Sequence, residues 1–326
     1  MKEARAAEFD LIAILRDRCA ITRADVHLGI GDDAAILAPP AGHELIVATD
    51  TLVAGVHFPQ STRPEDIGWK ALAVNLSDLA AMGATPAWAL LALTLPTADR
   101  AFVERFAEGF AELAAQHHLA LIGGDTTRGA LTISVTVLGF APPAQALRRD
   151  GAHAGDLVFV TGTLGDAAAG LRCLDRNAAG AARGGCETLI TRLDRPTPRI
   201  AAGVVLRGVA SACIDVSDGL LADLGHVAAR SGVGIEITAA TLPASSALLQ
   251  SVEEPMRLAL QATGGDDYEL AFTLAPEHAA AVTRDLARIG CGATRIGRVV
   301  DGGGVRLLDD AGGEIVLAQQ GWEHFA

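Results

Sequence analysis

Seven aspartates stand in short islands beside Gly, Thr or Ser. They are Gly31-Asp32-Asp33, Thr49-Asp50, Ser77-Asp78, Gly123-Gly124-Asp125 and Asp215-Val216-Ser217-Asp218. None belongs to a solvated charge run, and each interrupts or caps an apolar stretch. Carboxylates are hard oxygen donors of the kind Mg²⁺ takes, and Mg²⁺ held by a few carboxylates commonly holds phosphate as well. Glycine beside the carboxylate lets backbone approach a ligand closely, as in the Gly-Ile-Gly turn before Asp32 and Asp33. Any one of these aspartates also reads as an Asx-turn or a helix cap. Five islands at element ends, taken together, point to several Mg²⁺ ions and a polyphosphate. Asp32 is the member best explained by turn chemistry alone.

Other phosphate and nucleophile devices are missing. The chain has no Gly-x-x-x-x-Gly-Lys-Ser/Thr loop, no kinase Gly-rich loop with a His-Arg-Asp motif, and no Gly-x-Ser-x-Gly elbow. Gly162-Thr-Leu-Gly165 after a strand offers backbone amides, but a lone glycine turn is more simply a turn. The five cysteines, at 19, 173, 186, 213 and 291, include no Cys-x-x-Cys pair. They read as scattered reduced thiols of a cytosolic protein rather than disulfides or a zinc site. Cys19, at a helix end, reads as a packing residue.

The elements that must carry these residues alternate between strand and helix, which predicts α/β layers. Helices are expected at 8–18, 64–81, 99–118, 165–175, 196–209, 218–230 and 276–289. Strands are expected at 45–50, 87–95, 131–140, 157–161, 212–215, 233–238 and 269–274. Thr49 and Asp50 should end one strand, and Asp125 another. Pro64 fits the first turn of its helix, where a missing N–H costs nothing. The stripe Ile67, Ala71, Val74, Asp78, Ala81 has helical spacing and puts Asp78 on the face to be buried. A buried carboxylate needs a partner, a metal or a backbone donor. Ser217 is expected to N-cap the helix from 218, with Asp218 favouring its dipole. The break after Phe140, Ala-Pro-Pro-Ala-Gln then Arg148-Arg149-Asp150-Gly151, marks the domain boundary. The Ala/Gly/Arg-rich stretch 177–185 is expected to be a mobile loop.

At 326 residues the chain favours two domains. A net charge of −13 argues against nucleic acid or an anionic membrane as partner, yet not against phosphorylated substrates, because bound metal reverses the local sign. No stretch reaches the roughly 18 apolar residues of a membrane helix. The N-terminus does not resemble a signal peptide, so a soluble, cytoplasmic protein is expected.

Six blocks in order give a resemblance. Gly29-Ile-Gly-Asp-Asp-Ala34, Ala48-Thr-Asp-Thr-Leu-Val-Ala-Gly55, Asn75-Leu-Ser-Asp-Leu-Ala-Ala-Met-Gly83, Gly123-Gly-Asp-Thr-Thr-Arg128, Asp215-Val-Ser-Asp-Gly-Leu220 and Gly264-Gly-Asp-Asp-Tyr-Glu269 resemble the thiamine-monophosphate kinases. That family lies in the aminoimidazole-ribonucleotide-synthetase-like superfamily, and the likeness spans nearly the whole chain. It implies an α/β (α+β) fold of two domains, mixed sheets covered by helices, with N-terminal strands forming a barrel in a homodimer. Residues 1–142 would be the metal, ATP and dimerisation domain, and 143–326 the domain completing the ATP and substrate site.

The implied activity is ATP-dependent phosphorylation of thiamine phosphate to thiamine diphosphate, with several Mg²⁺ ions as cofactor. By motif matching, Asp33, Thr49, Asp50, Asp78, Asp125, Asp215 and Asp218 would coordinate Mg²⁺. Gly124, Asp125, Arg149 and Ser217 would contact ATP, and Arg148 is the alternative to Arg149. His57, Asp266 and Trp322 would contact thiamine phosphate. The family commonly has Glu where this chain has Asp266, which implies a shorter or water-mediated contact. Trp322 suits stacking on a cationic heterocycle, with core packing the other reading. Two other functions compete: a superfamily enzyme activating an amide or selenide, and a non-catalytic Mg-nucleotide-binding protein. The selenide and hydrogenase-maturation members need a reactive Cys in an N-terminal Gly-rich segment or at the C-terminus, and this chain has neither.

Overall fold

In a computed structural model that describes residues 7–178, 185–319 and 321–323, the chain divides into two compact units. The first runs to Leu79 and then from Ala84 to Ala144, and the second takes Ala80–Gly83 and the chain from Gln145 on.

The elements up to residue 144 are α1 (Glu8–Arg18), β1 (Val26–Leu28), β2 (Ile36–Leu37), β3 (Glu44–Val53), α2 (Pro64–Ala81), β4 (Thr85–Leu95), α3 (Arg100–Gln116), β5 (Ala120–Arg128) and β6 (Thr132–Ala141). Four of these strands form a sheet in the order β3-β6-β4-β5. Only β4 and β5 run parallel. Alternation along the strands separates the two faces of this sheet. Leu91, Leu93, Ile133, Val135 and Val137 are buried on one face. There α2 packs so closely that a Cβ on Gly139 would lie 3.1 Å from the Leu79 side chain. Two glycines let α2 and α3 cross tightly: a Cβ at Gly68 would sit 2.0 Å from the Phe106 carbonyl oxygen, and one at Gly109 1.7 Å from that of Glu65. The other face is open along β3 and β4, where Leu45, Val47 and Leu90 are 48%, 55% and 38% exposed. At one end it is covered, where Trp88, Ile122 and Phe140 pack with Ile21, Val26, Ala35 and Leu37.

The second unit continues with β7 (Leu157–Thr161), α4 (Asp166–Ala178), α5 (Cys186–Asp194), α6 (Ile200–Leu206), β8 (Ala212–Asp215), α7 (Leu220–Ser231), β9 (Gly234–Thr238), α8 (Ser246–Ser251), α9 (Met256–Thr263), β10 (Leu270–Leu274), α10 (Ala279–Arg288), β11 (Ala293–Val300) and β12 (Gly304–Leu308). Its six-stranded mixed sheet has the order β12-β9-β11-β7-β10-β8. Val158, Val160, Ile214, Leu224, Ile235 and Ile237 form its core.

Several elements differ from the sequence expectation. β3 continues past Asp50 to Val53, and β5 past Asp125 to Arg128. Their apolar runs mark where burial stops, while the hydrogen-bonded ladder goes on. The helix expected over 196–209 is confined to Ile200–Leu206, since Pro198 pushes the residue before it towards extended backbone. Ser217 is not the cap of α7: the N-cap is Gly219, with φ of +127°. A Cβ there would meet Thr263 backbone at 2.8 Å. Residues 179–184 of the expected loop lie outside the described residues, and α4 and α5 run up to its two sides.

The reading of five reduced thiols is also corrected. Cys173 on α4 and Cys186 on α5 form a disulfide, with Cα atoms 5.7 Å apart. Gly170 permits this close helix pair, because a Cβ there would be 2.3 Å from the Leu189 carbonyl oxygen. Cys19, Cys213 and Cys291 are free and buried. Burial pushes the Cys19 thiol up to about 12, as suits a packing residue.

Candidate active site

In the first unit Asp33, Gly124 and Asp125 line one cavity of about 880 Å³, walled by α1, the Gly29–Ala35 turn, β4 and β5. Asp32 accepts the Asp33 N–H at 2.8 Å, the Asx-type bond that its sequence setting suggested. Gly124 is required by its place in the sheet: φ is +151°, and a Cβ would fall 1.8 Å from the Leu91 carbonyl oxygen. Only a residue without a side chain lets β5 lie this close to β4 while Asp125 is presented from it.

Asp50 and Thr49 are neighbours on β3, so their side chains point to opposite faces. The Thr49 hydroxyl lies on the open face, donating to the Val135 carbonyl at 3.1 Å and meeting the Thr136 hydroxyl at 3.0 Å. The Asp50 amide donates to Asn75 Oδ1 at 2.8 Å, and Asn75 Nδ2 donates to the Ala71 carbonyl. Asn75 is fully buried on α2. It ties Asp50 to the helix that carries Asp78 one turn on. Asp78 is half-buried between the fully buried Ser77 and Leu79. His57 closes the turn after β3: its Nδ1 accepts the Val53 N–H at 3.0 Å, so the neutral ring carries its proton on Nε2.

In the second unit, backbone bonds gather Asp215, Ser217, Asp218, Asp266 and Trp322. The Asp266 N–H donates to the Ser217 carbonyl, and the Tyr268 N–H to the Val216 carbonyl, at 2.9 and 2.8 Å. The Trp322 N–H donates to the Asp218 carbonyl at 2.9 Å. The Trp322 side chain is 58% exposed, so it is not packed in a core. Asp266 and Tyr268 both have left-handed backbone, φ +69° and +50°, and the Tyr268 hydroxyl donates to Asp266 Oδ1 at 3.1 Å. Arg149 lies beside β8, since the preceding carbonyl of Arg148 accepts from the Cys213 N–H. The guanidinium of Arg148 is engaged in a two-pronged pair with Asp150 at 2.8 and 2.6 Å, whereas Arg149 makes no ion pair among the described residues.

Three residues around these loops were not assigned from sequence. Asp223, on the first turn of α7, accepts the N–H groups of Ser217, Asp218 and Gly219 on one oxygen. Burial, and then the neighbouring Asp215 and Asp218, push its carboxyl up to about 7. Asp267 is buried and accepts the Gly165 and Ala167 N–H groups at 2.6 and 3.3 Å. The chain's own Asp267 side chain therefore occupies the Gly162–Gly165 amide turn, which is not a phosphate loop. Glu269, with no exposed surface, takes the Thr161 hydroxyl, Arg192 and both prongs of Arg199. The available signals were an acidic residue in the first turn of a helix at 223 and two more in the Gly264–Glu269 block.

Among the described residues, no three His, Cys, Asp or Glu side chains stand ready to share one cation. The donors present suit Mg²⁺ nonetheless, because Mg²⁺ takes one or two carboxylates and completes its shell with water and substrate phosphate.

The fold and this pattern of carboxylates define an AIR synthase related protein. Residues 31–141 match the N-terminal domain of that family and 153–310 its C-terminal domain. The chain is 47% identical to the thiamine-monophosphate kinase of Escherichia coli strain K12 over 98% of both chains. Its structure is similar to that of the thiamine-monophosphate kinase from Stenotrophomonas maltophilia K279a, with 52% identity, a TM-score of 0.86, and coverage of 92% and 96%. It is also similar to AaThiL complexed with AMPPCP and TMP, with 36% identity, a TM-score of 0.77 and full coverage of both chains. Within the AIR synthase related proteins, the chain belongs to the thiamine-monophosphate kinase family.

Proposed function

We propose that the chain transfers the γ-phosphoryl group of ATP directly and in line to the phosphate of thiamine phosphate, giving thiamine diphosphate. The observation that supports this site most directly is the cavity that holds Asp33 and Asp125 together beside the backbone of Gly124. Both reactants are anions, so the main task is to neutralise charge and hold geometry. Mg²⁺ held by Asp33, Asp50, Asp78, Asp125, Asp215 and Asp218 would supply that neutralisation. Thr49 is assigned to the same set, and its hydroxyl points to the other face of the strand from Asp50. Gly124, Asp125, Arg149 and Ser217 are assigned to ATP. Arg149 is preferred to Arg148 because Asp150 already holds Arg148. His57, Asp266 and Trp322 are assigned to thiamine phosphate. Its exposed ring suits Trp322 to stacking on a cationic heterocycle. The acceptor is already an anionic phosphate, so no strong base is needed, and His57 acts as a contact.

Residues 1–142 are assigned metal, ATP and dimerisation roles, and 143–326 ATP and substrate roles. A homodimer through the open face of β3 and β4 is supported by the exposed Leu45, Val47 and Leu90. Among the described residues no helix is long and apolar enough to cross a membrane, and we place the reaction in the cytoplasm, where ATP is at hand.

The test is product formation from ATP, Mg²⁺ and thiamine phosphate, followed by chromatography. Asp50→Asn and Asp125→Asn should each abolish turnover while circular dichroism and Tm stay as in the parent. Near-parental activity in either variant would remove the metal role from that residue.

A further inference from the structure

We propose, building on the nucleotide and Mg²⁺ roles given above to Ser217, Asp215 and Asp218, that Asp223 is a positioning residue that locks the 217–219 turn and leaves Ser217 to meet the nucleotide through its hydroxyl alone. Three successive N–H groups, those of Ser217, Asp218 and Gly219, point at Asp223 Oδ2 from 3.0, 3.1 and 3.2 Å. Successive amides that converge in this way form an anion-binding concavity, and at a strand-to-helix switch its common occupant is a phosphate. Here the occupant is a carboxylate of the chain itself, only 3% exposed. It is reached from the first turn of α7, where the Asp223 N–H also closes on the Gly219 carbonyl at 3.0 Å.

The remaining backbone atoms of the turn are used as well. The Ser217 carbonyl accepts from Asp266 N–H, and the Asp218 carbonyl from Trp322 N–H, both at 2.9 Å. The amide and carbonyl of Ser217 are thus both engaged, and no hydrogen bond within the described residues engages its hydroxyl. The turn is held by a carboxylate behind it and by two backbone bonds to segments that carry the proposed substrate contacts. Removing the Asp223 carboxylate would release three amides at once and allow the side chains of Ser217 and Asp218 to change direction.

The experiment uses the full-length enzyme and compares Asp223→Ala, Asp223→Asn, Ser217→Ala and Asp218→Asn. Three quantities are read: hydrogen exchange at the 217–219 amides without ATP or metal, the midpoint of the Mg²⁺ dependence, and KM for ATP. Asp223→Ala should speed exchange at all three amides and raise the Mg²⁺ midpoint about tenfold, the scale on which groups that orient metal ligands act. Asp223→Asn keeps an acceptor oxygen of the same shape and should fall between it and the parent. A smaller amount of folded enzyme lowers velocity without moving a midpoint, so the midpoint separates positioning from support of the fold. Ser217→Ala, which spares the amide, should raise KM for ATP. An unchanged midpoint and unchanged exchange in Asp223→Ala, with Asp218→Asn impaired, overturn the positioning role while the site assignment stands. A parental KM for ATP in Ser217→Ala, again with Asp218→Asn impaired, overturns the hydroxyl contact. If Ser217→Ala and Asp218→Asn are both parental, the site assignment itself fails and the inference falls with it. Should Asp223→Ala not fold, Asp223→Asn decides by the same readings.

Discussion

Asp50 lies on an edge strand, so its N–H has no partner in the ladder, and Asn75 takes it at 2.8 Å. Asn75→Ala should leave that donor unmet in a partly buried place and cost about 1 kcal/mol of stability in urea unfolding. A loss of only a few tenths would show that the bond merely accompanies the packing. Asp267 offers a pH test. Burial raises its carboxyl from an ordinary 3.8 to about 8. The folded protein then holds a proton that the unfolded chain has released. The stability tied to this group is fully present below the unfolded value of 3.8 and is lost as pH rises towards about 8. Asp267→Asn cannot titrate, so its Tm should fall less steeply with pH across that window. An identical slope in the two proteins would assign the pH dependence to other groups.

At the scale of elements, the long helices and the short apolar strands β7, β8, β9 and β10 were legible, while α5, α8, α9, β11 and β12 were not. Pro64 and the stripe from Ile67 to Ala81 delimit α2 because a helix of this length repeats its pattern several times. α8 and α9 have 6 and 8 residues, and such short helices give periodicity little room to declare itself. β3 and β5 were located but cut short at their aspartates, because hydropathy reports burial rather than pairing. The islands around Asp33, Asp50, Asp78, Asp125, Asp215 and Asp218 could be read, since their flanking residues are local in sequence. The support beneath them could not: Asp223 matters through three amides that converge only when the turn is folded. The Cys173–Cys186 bond was missed for a similar reason, as helix contact rather than spacing brings the two together. Thiol titration in denaturant should find three reactive groups before reduction and five after it. The Cys173→Ser/Cys186→Ser double variant should be less stable by up to about 3 kcal/mol, the chain-entropy value for a closed loop of this size. Five thiols without reductant would show that the bond does not form in solution.

At the scale of the molecule, the net charge of −13 sits with a reaction between two anions. A negative background concentrates cations more strongly at low ionic strength, so the proposed Mg²⁺ dependence of turnover should have its midpoint at lower Mg²⁺ there than at high ionic strength. The proposed homodimer would assemble through the open face of β3 and β4. If that dimer forms, Val47→Lys, which places a charge beside Leu45 and Thr49 on the same strand face, should convert it to monomer in sedimentation velocity. A Val47→Lys protein that sediments as the parent does would move the interface elsewhere.

The left-handed backbone at residue 266 bears on which acidic side chain can stand there. With φ at +69°, the position favours Asp, whose short side chain tolerates this region better than longer ones. Compared with Glu, Asp at this position gives up one methylene of reach and gains an easier main chain. The proposed substrate loop is therefore open to divergence in a linked way: Asp266→Glu should extend its reach only together with a change that eases the loop, such as glycine at a neighbouring position.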